Sequence, residues 1–130
     1  MAWQPASVVF ADTASNFVVY LRGRLDPSLT VGLDLSRWKR PAEAVHITPI
    51  STRSDGIIER LRLQVDVYAE EWDRCFDITA EVRLAMAVAA LTLPDVKHVK
   101  EETAMRNLPE PEGPRVLSDF TVTVVGAETP

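Results

Sequence analysis

The chain has 130 residues, 46% of them hydrophobic and 25% charged, which suits one domain around one core and argues against wholesale disorder. A formal net charge of −5 and an isoelectric point near 5.0 leave no basic footprint for gripping nucleic acid or an anionic membrane. No apolar run is long enough to span a bilayer, the N-terminus lacks the positive region of a signal peptide, and the lone Cys75 makes no internal disulfide, so a cytoplasm is the expected folding compartment.

Residues 12–25 read as an amphipathic helix, with Ala14, Phe17, Val18, Leu21 and Leu25 at helical spacing and Asp12 or Thr13 available as N-cap. A short apolar piece from Leu29 to Leu35 is expected to be extended, and Arg37 to Pro41 a loop. Ala44 to Ile50 reads as a strand that stops at Pro49, and Ser51 to Gly56 as turn chemistry with its corner at Asp55-Gly56. The clearest pattern runs from Ile57 to Ala69. There Leu61, Leu63, Val65 and Val67 alternate with Arg60, Arg62, Gln64, Asp66 and Tyr68, the signature of a strand with one buried and one polar face.

A long helix is expected over residues 70–92, with Trp72, Cys75, Phe76, Thr79, Val82, Met86, Ala89 and Ala90 as its apolar stripe and acidic residues crowding its first turns. Residues 95–103 read as a strand. Asn107 to Arg115, NLPEPEGPR, is too rich in proline and glycine to be expected in regular structure. A last strand from Val116 to Val125 places Phe120, Val122 and Val124 opposite Asp119, Thr121 and Thr123. The order is α-β-β-β-α-β-β, an α+β fold with two helices on a mixed, largely antiparallel sheet. Residues 1–130 form a single domain in this reading, with residues 1–11 and 126–130 as flexible ends.

Chemistry-bearing patterns are sparse. His46 and His98 lie far apart and away from Cys75, so no metal set is expected. His46 falls on a strand's polar face, where a solvated ring is expected. Cys75 lies in an apolar stripe, where a buried small hydrophobe is the natural reading. The five glycines stand singly, and neither a phosphate-cradling loop nor a GxSxG elbow is present. No catalytic residue, cofactor site or metal ligand is therefore assigned. Asp73, Asp77 and Glu81 form an acidic row at i, i+4 and i+8, interleaved with Arg74 and Arg83. Opposite in charge, Arg53, Arg60 and Arg62 cluster around the long strand.

The stretch IIERLRLQVDVYAEEWDRCFDITAEVRLAMAVAAL resembles the tail-terminator (tail-completion) proteins of long-tailed bacteriophages, with the closest likeness to those of actinobacteriophages. It carries a strand with a Val-Asp-Val-aromatic-Ala ending that leads straight into an alanine-rich helix. AVHITPIST before it, PDVKHVKEE after it and PRVLSDFTVTVVGAE near the end extend the likeness over about residues 12–128. The proline content of PEPEGPR departs from the pattern. The resemblance implies a virion protein without catalytic residues, assembled in the host cytoplasm into the virion tail. It implies a homohexameric ring that caps the tail tube, ends its polymerisation and joins the head-side connector. The implied partners are further copies of the chain, the tail tube protein and the connector protein, while DNA passes the pore without specific binding. A ring built head-to-tail needs two different complementary patches, and Arg53, Arg60 and Arg62 against Asp73, Asp77 and Glu81 are the candidate pair from charge. The alternatives are a neighbouring head-tail component (a stopper or head-completion protein), a small ligand-binding module with its pocket between sheet and helices, and, third, an enzyme.

Overall fold

The computed structural model describes residues 8–9, 12–33, 43–110 and 113–128. The elements in chain order are β1 (Val8–Val9), α1 (Thr13–Arg24), β2 (Thr30–Gly32), β3 (Ala44–Asp55), β4 (Ile58–Tyr68), α2 (Trp72–Ala87), α3 (Ala89–Thr92), β5 (Val96–Glu110), β6 (Gly113–Val125) and β7 (Ala127–Glu128). Five strands form one sheet in the order β2-β3-β4-β6-β5, with β2 parallel to β3 and every other pairing antiparallel. The expected α+β architecture is present: a mixed, largely antiparallel sheet with helices packed on it.

Period-two alternation in β4 decides where the core lies. Leu61, Leu63, Val65 and Val67 are buried and stand opposite Val122, Phe120, Ser118 and Val116 of β6. Val45 and Ile47 of β3 continue that face. Onto it pack Phe17, Val18 and Leu21 of α1 and Cys75, Ile78, Val82 and Met86 of α2, in one contiguous apolar cluster. Helix α1 starts at Asp12, whose carboxylate accepts hydrogen bonds from the Ser15 backbone N–H at 3.2 Å and from the Ser15 hydroxyl at 2.9 Å. Two side chains fix α1 laterally. The Tyr20 hydroxyl donates to Ala85 O on α2 at 2.6 Å, and the Arg22 guanidinium donates from Nε and Nη2 to Val31 O on β2 at 3.1 and 2.8 Å.

Several boundaries depart from the sequence-based expectation. Strand β3 does not stop at Pro49 but passes a bulge between Pro49 and Ser51 and continues to Asp55. The run Ser51 to Asp55 is thus strand, not turn. Both faces of its distal half are in water, so no alternation marks it. The turn is Gly56-Ile57, where Gly56 takes φ +60°. The helix expected over 70–92 breaks at Val88 into α2 and the single turn α3. Its buried stripe includes Ile78 and Ala85, whereas Trp72 lies at the rim, stacked on Phe76 with ring centroids 5.7 Å apart. The segment 107–115, expected to be a loop, belongs to a β-hairpin: β5 runs to Glu110 and β6 begins at Gly113, with Pro109 opposite Pro114. Proline removes only its own donor, and β5 is an edge strand that tolerates the loss. Among the ends expected to be flexible, Val8–Val9 pairs antiparallel with Ala127–Glu128. The expected strand over 29–35 is β2, residues 30–32; positions 34 and 35 of that stretch and the expected loop, residues 37–41, lie outside the described residues.

Two glycines should respond to alanine with opposite signs. No atom lies within 4 Å of a Cβ added at Gly23 in the last turns of α1, so Gly23→Ala should stabilise by roughly 0.5–1 kcal/mol. Gly56 has equal space but a positive φ, so Gly56→Ala should cost roughly 1 kcal/mol. Urea unfolding of both variants checks the pair.

Candidate assembly surfaces

Since both long helices pack on one face, the opposite face of the sheet carries the other half of the alternation. Arg60, Arg62, Gln64, Asp66 and Tyr68 of β4 lie there, opposite Thr123, Thr121, Asp119, Leu117 and Arg115 of β6. His46 of β3 stands opposite Asp66, and Arg53 opposite Arg60. At the centre of this polar face Asp66 is only 1% exposed and Asp119 only 6%. Asp66 accepts from Arg115 Nη2 at 3.1 Å and from the Gln64 amide at 3.2 Å, and its Oδ2 lies 3.9 Å from His46 Nδ1. Arg115 also lies over the Tyr68 ring, 5.6 Å from its centroid. The His46 Nε2–H donates to Leu33 O at 2.7 Å, which ties the strand to the chain leaving β2. The solvated His46 expected from sequence is corrected: its ring is largely buried within this network. Asp66, expected on a polar face, is likewise sunk beneath longer neighbours. Two of its partners, His46 and Arg115, come from β3 and β6, and a linear pattern cannot show which residues register brings together.

The candidate arginines divide into two groups. Arg62 donates to Asp119 Oδ2 at 3.4 Å and is committed within the chain. Arg53 and Arg60 are exposed near the β3–β4 turn, directly across from each other, and have no ion-pair partner among the described residues. Two like charges held side by side repel, and an anion placed over them relieves that repulsion.

The acidic row lies on the far side of the domain. Asp73, Asp77 and Glu81 are all exposed on α2, whose Cys75, Ile78, Val82 and Met86 face the sheet. The interleaved arginines are held by other carboxylates, although Arg74 still feels the charge of Glu81. Arg74 grips Glu43 through Nε at 2.6 Å and Nη2 at 3.2 Å and lies 3.9 Å from Asp26, while Arg83 donates to Glu101 on β5 at 2.8 Å. The bond to Glu43 raises the Arg74 guanidinium above its ordinary value. The Ser28 backbone N–H, then the Ser28 hydroxyl, hold the Asp26 carboxyl below its ordinary 3.8, with Arg74 adding a smaller pull. A lowered carboxyl stabilises the fold above its unfolded value and loses that contribution as pH falls through the lowered one. Asp73, Asp77 and Glu81 have no ion-pair partner among the described residues. The row is therefore an exposed acidic strip on the helix layer, with the arginine pair on the sheet's opposite face.

Among the described residues no group of three or more His, Cys, Asp or Glu side chains could hold a metal ion. Cys75 is fully buried, its thiol donating to Val67 O at 3.3 Å, and His98 is exposed at the start of β5. Among the described residues, the cleft between α1 and the start of β5, lined by Phe17, Leu93, Pro94 and Val124 among others, holds about 50 Å³, and two open surface grooves, one along α1 by Thr92 and one beside β2, hold about 420 and 380 Å³. No helix among the described residues is long and apolar enough to cross a membrane. Comparison with known proteins finds no matching family model and no matching curated protein.

Removing one member of the buried network should cost far more than the pair is worth. Asp66→Ala removes an acceptor shared by Arg115 and Gln64 and should destabilise by about 1–3 kcal/mol. In the Asp66→Ala, Arg115→Met double variant the loss should be clearly less than the sum of the single losses, as read from a thermal-unfolding double-mutant cycle.

Proposed function

We propose that this chain is a structural subunit of a long-tailed phage virion, a tail terminator whose copies close into a ring at the head-proximal end of the tail tube. It acts by assembly and not by catalysis. The observation that carries this reading is the placement of two unlike, exposed charged surfaces on opposite sides of one small domain: Arg53 and Arg60 on the polar face of the sheet, and Asp73, Asp77 and Glu81 on the outer face of α2. Cyclic assembly by a heterologous contact requires such an arrangement, because each copy presents one patch to each neighbour. The strand-to-helix junction at Val65–Glu71, on which the resemblance to tail terminators rests, is the direct passage from β4 into α2.

Function follows from closure. A ring on the last tube layer offers the tube protein no further surface of its own kind, so polymerisation stops. The ring's other side is then free for the connector. A hexamer would carry six times the −5 of one chain, and a pore of that sign repels the phosphate backbone and leaves DNA free to move. A stopper or head-completion protein would share much of this architecture, and the tube-capping activity separates the two.

The two groups of arginines should behave differently on charge reversal. Arg60→Glu should leave the fold intact and lower the fraction of protein in closed rings, as counted by negative-stain electron microscopy. In Arg62→Glu the new carboxylate faces Asp119, so that variant should instead lower the melting temperature. Rings formed undiminished by Arg60→Glu at moderate salt would remove the charge pairing from the account, and absence of rings in the wild-type protein would contradict the terminator reading itself.

A further inference from the structure

The outer surface of the helix layer is unusually apolar next to its acidic strip. Val19 on α1 is 67% exposed, Leu84 on α2 is 69% exposed and Leu91 on α3 is 87% exposed. Between α1 and α3 runs an open groove of about 420 Å³ with Val19, Tyr20, Gly23, Arg24, Thr92 and Leu93 in its walls. Its shape is fixed from below by the Tyr20 hydroxyl on Ala85 O and across its end by Arg24 Nη2 on the Thr92 hydroxyl at 2.9 Å. Gly23 keeps its side open, since nothing lies within 4 Å of where a Cβ would be. Asp77 and Glu81 precede Leu84 on the same outward side of α2, so acid and apolar surface adjoin within about one helical turn, ~5 Å.

The β3–β4 turn carries the complementary pattern. Ile57 at its corner is 45% exposed, and the pair Arg53 and Arg60 follows about three residues away, ~10 Å along the strands. On its outer side β2 covers only Ala44 to His46, so the distal half of β3 has no neighbouring strand among the described residues. The turn thus combines an apolar tip, two unneutralised cations and an unhindered flank.

We infer that the β3–β4 turn of one copy docks on the helix layer of the next, with Ile57 entering the groove between α1 and α3 and Arg53 and Arg60 reaching Asp77 and Glu81. The occupant is a second copy of this chain because its turn pairs an exposed apolar tip with two exposed cations, while its helix layer pairs exposed apolar residues with exposed carboxylates. The inference rests on the ring reading and deepens it by naming the contact. Ile57 and Val19 supply the desolvated centre of the interface, and the charged pairs at its edge set register and orientation. The contact is heterologous: every copy uses its turn on one side and its groove on the other.

A heterologous contact makes a specific demand on mixtures. Ile57→Asp spoils only the turn and Val19→Asp only the groove, and both positions are exposed enough for the substitution to leave the fold intact, which a thermal melt verifies. Each variant alone should run as a monomer in sedimentation velocity at concentrations where the wild type assembles, with at least a tenfold loss of assembled species. Mixed one to one, the intact groove of Ile57→Asp accepts the intact turn of Val19→Asp, so a species of two subunits should appear and grow no further. Wild-type assemblies that persist in either single variant would overturn this contact and leave the ring reading standing, as would a mixture that stays monomeric while the wild type assembles. A wild type that never assembles would overturn both.

Discussion

Strand β4 is third in a five-stranded sheet, and the period of two commits each of its side chains to one face or the other. Its odd-numbered residues Leu61 to Val67 provide the floor onto which α1 and α2 pack, and that packing supplies the contiguous core. Its even-numbered residues are thereby forced onto the other face, where no helix lies among the described residues. Shifting β4 by one residue would exchange the two sets and bury two arginines beneath the helices. The division of the molecule into an apolar, helix-covered side and a charged side follows from this one strand.

The polar face solves a problem created by that division. A central strand of a sheet has neighbours on both sides, so a short acidic side chain at its middle is overshadowed by longer ones. Asp66 is in that position, and the arginine, glutamine and histidine that cover it also partner it. Such a network adds little net stability compared with an apolar patch, because desolvation offsets the Coulomb attraction. It does specify register among β3, β4 and β6, since no alternative alignment brings Arg115 and His46 to the same carboxylate. A rigid polar face presents Arg53 and Arg60 at a fixed spacing, which a subunit interface needs.

Much of this architecture was legible in the residues. The alternation of β4, the stripe of α1 and the passage from β4 into α2 are each local patterns driven by burial, and each stands where the pattern places it. Ser51 to Ser54 was illegible because both of its faces are wet, so hydrophobic alternation had nothing to record. Asn107 to Glu110 was misread because proline count stands in poorly for position: at an edge strand a missing donor is harmless. The division of Arg62 from Arg53 and Arg60 was also hidden, since it depends on Asp119 arriving from β6. Charge type could be read from the chain, but pairing required the fold.

Assembly of unlike surfaces is the claim on which the functional account turns, and the mass of the purified protein across a concentration series, by light scattering after size exclusion, tests it most directly. The account predicts a closed species of about six subunits that grows at the expense of the monomer and does not extend further. A strict monomer at every concentration, or open-ended growth without a closed species, would contradict it.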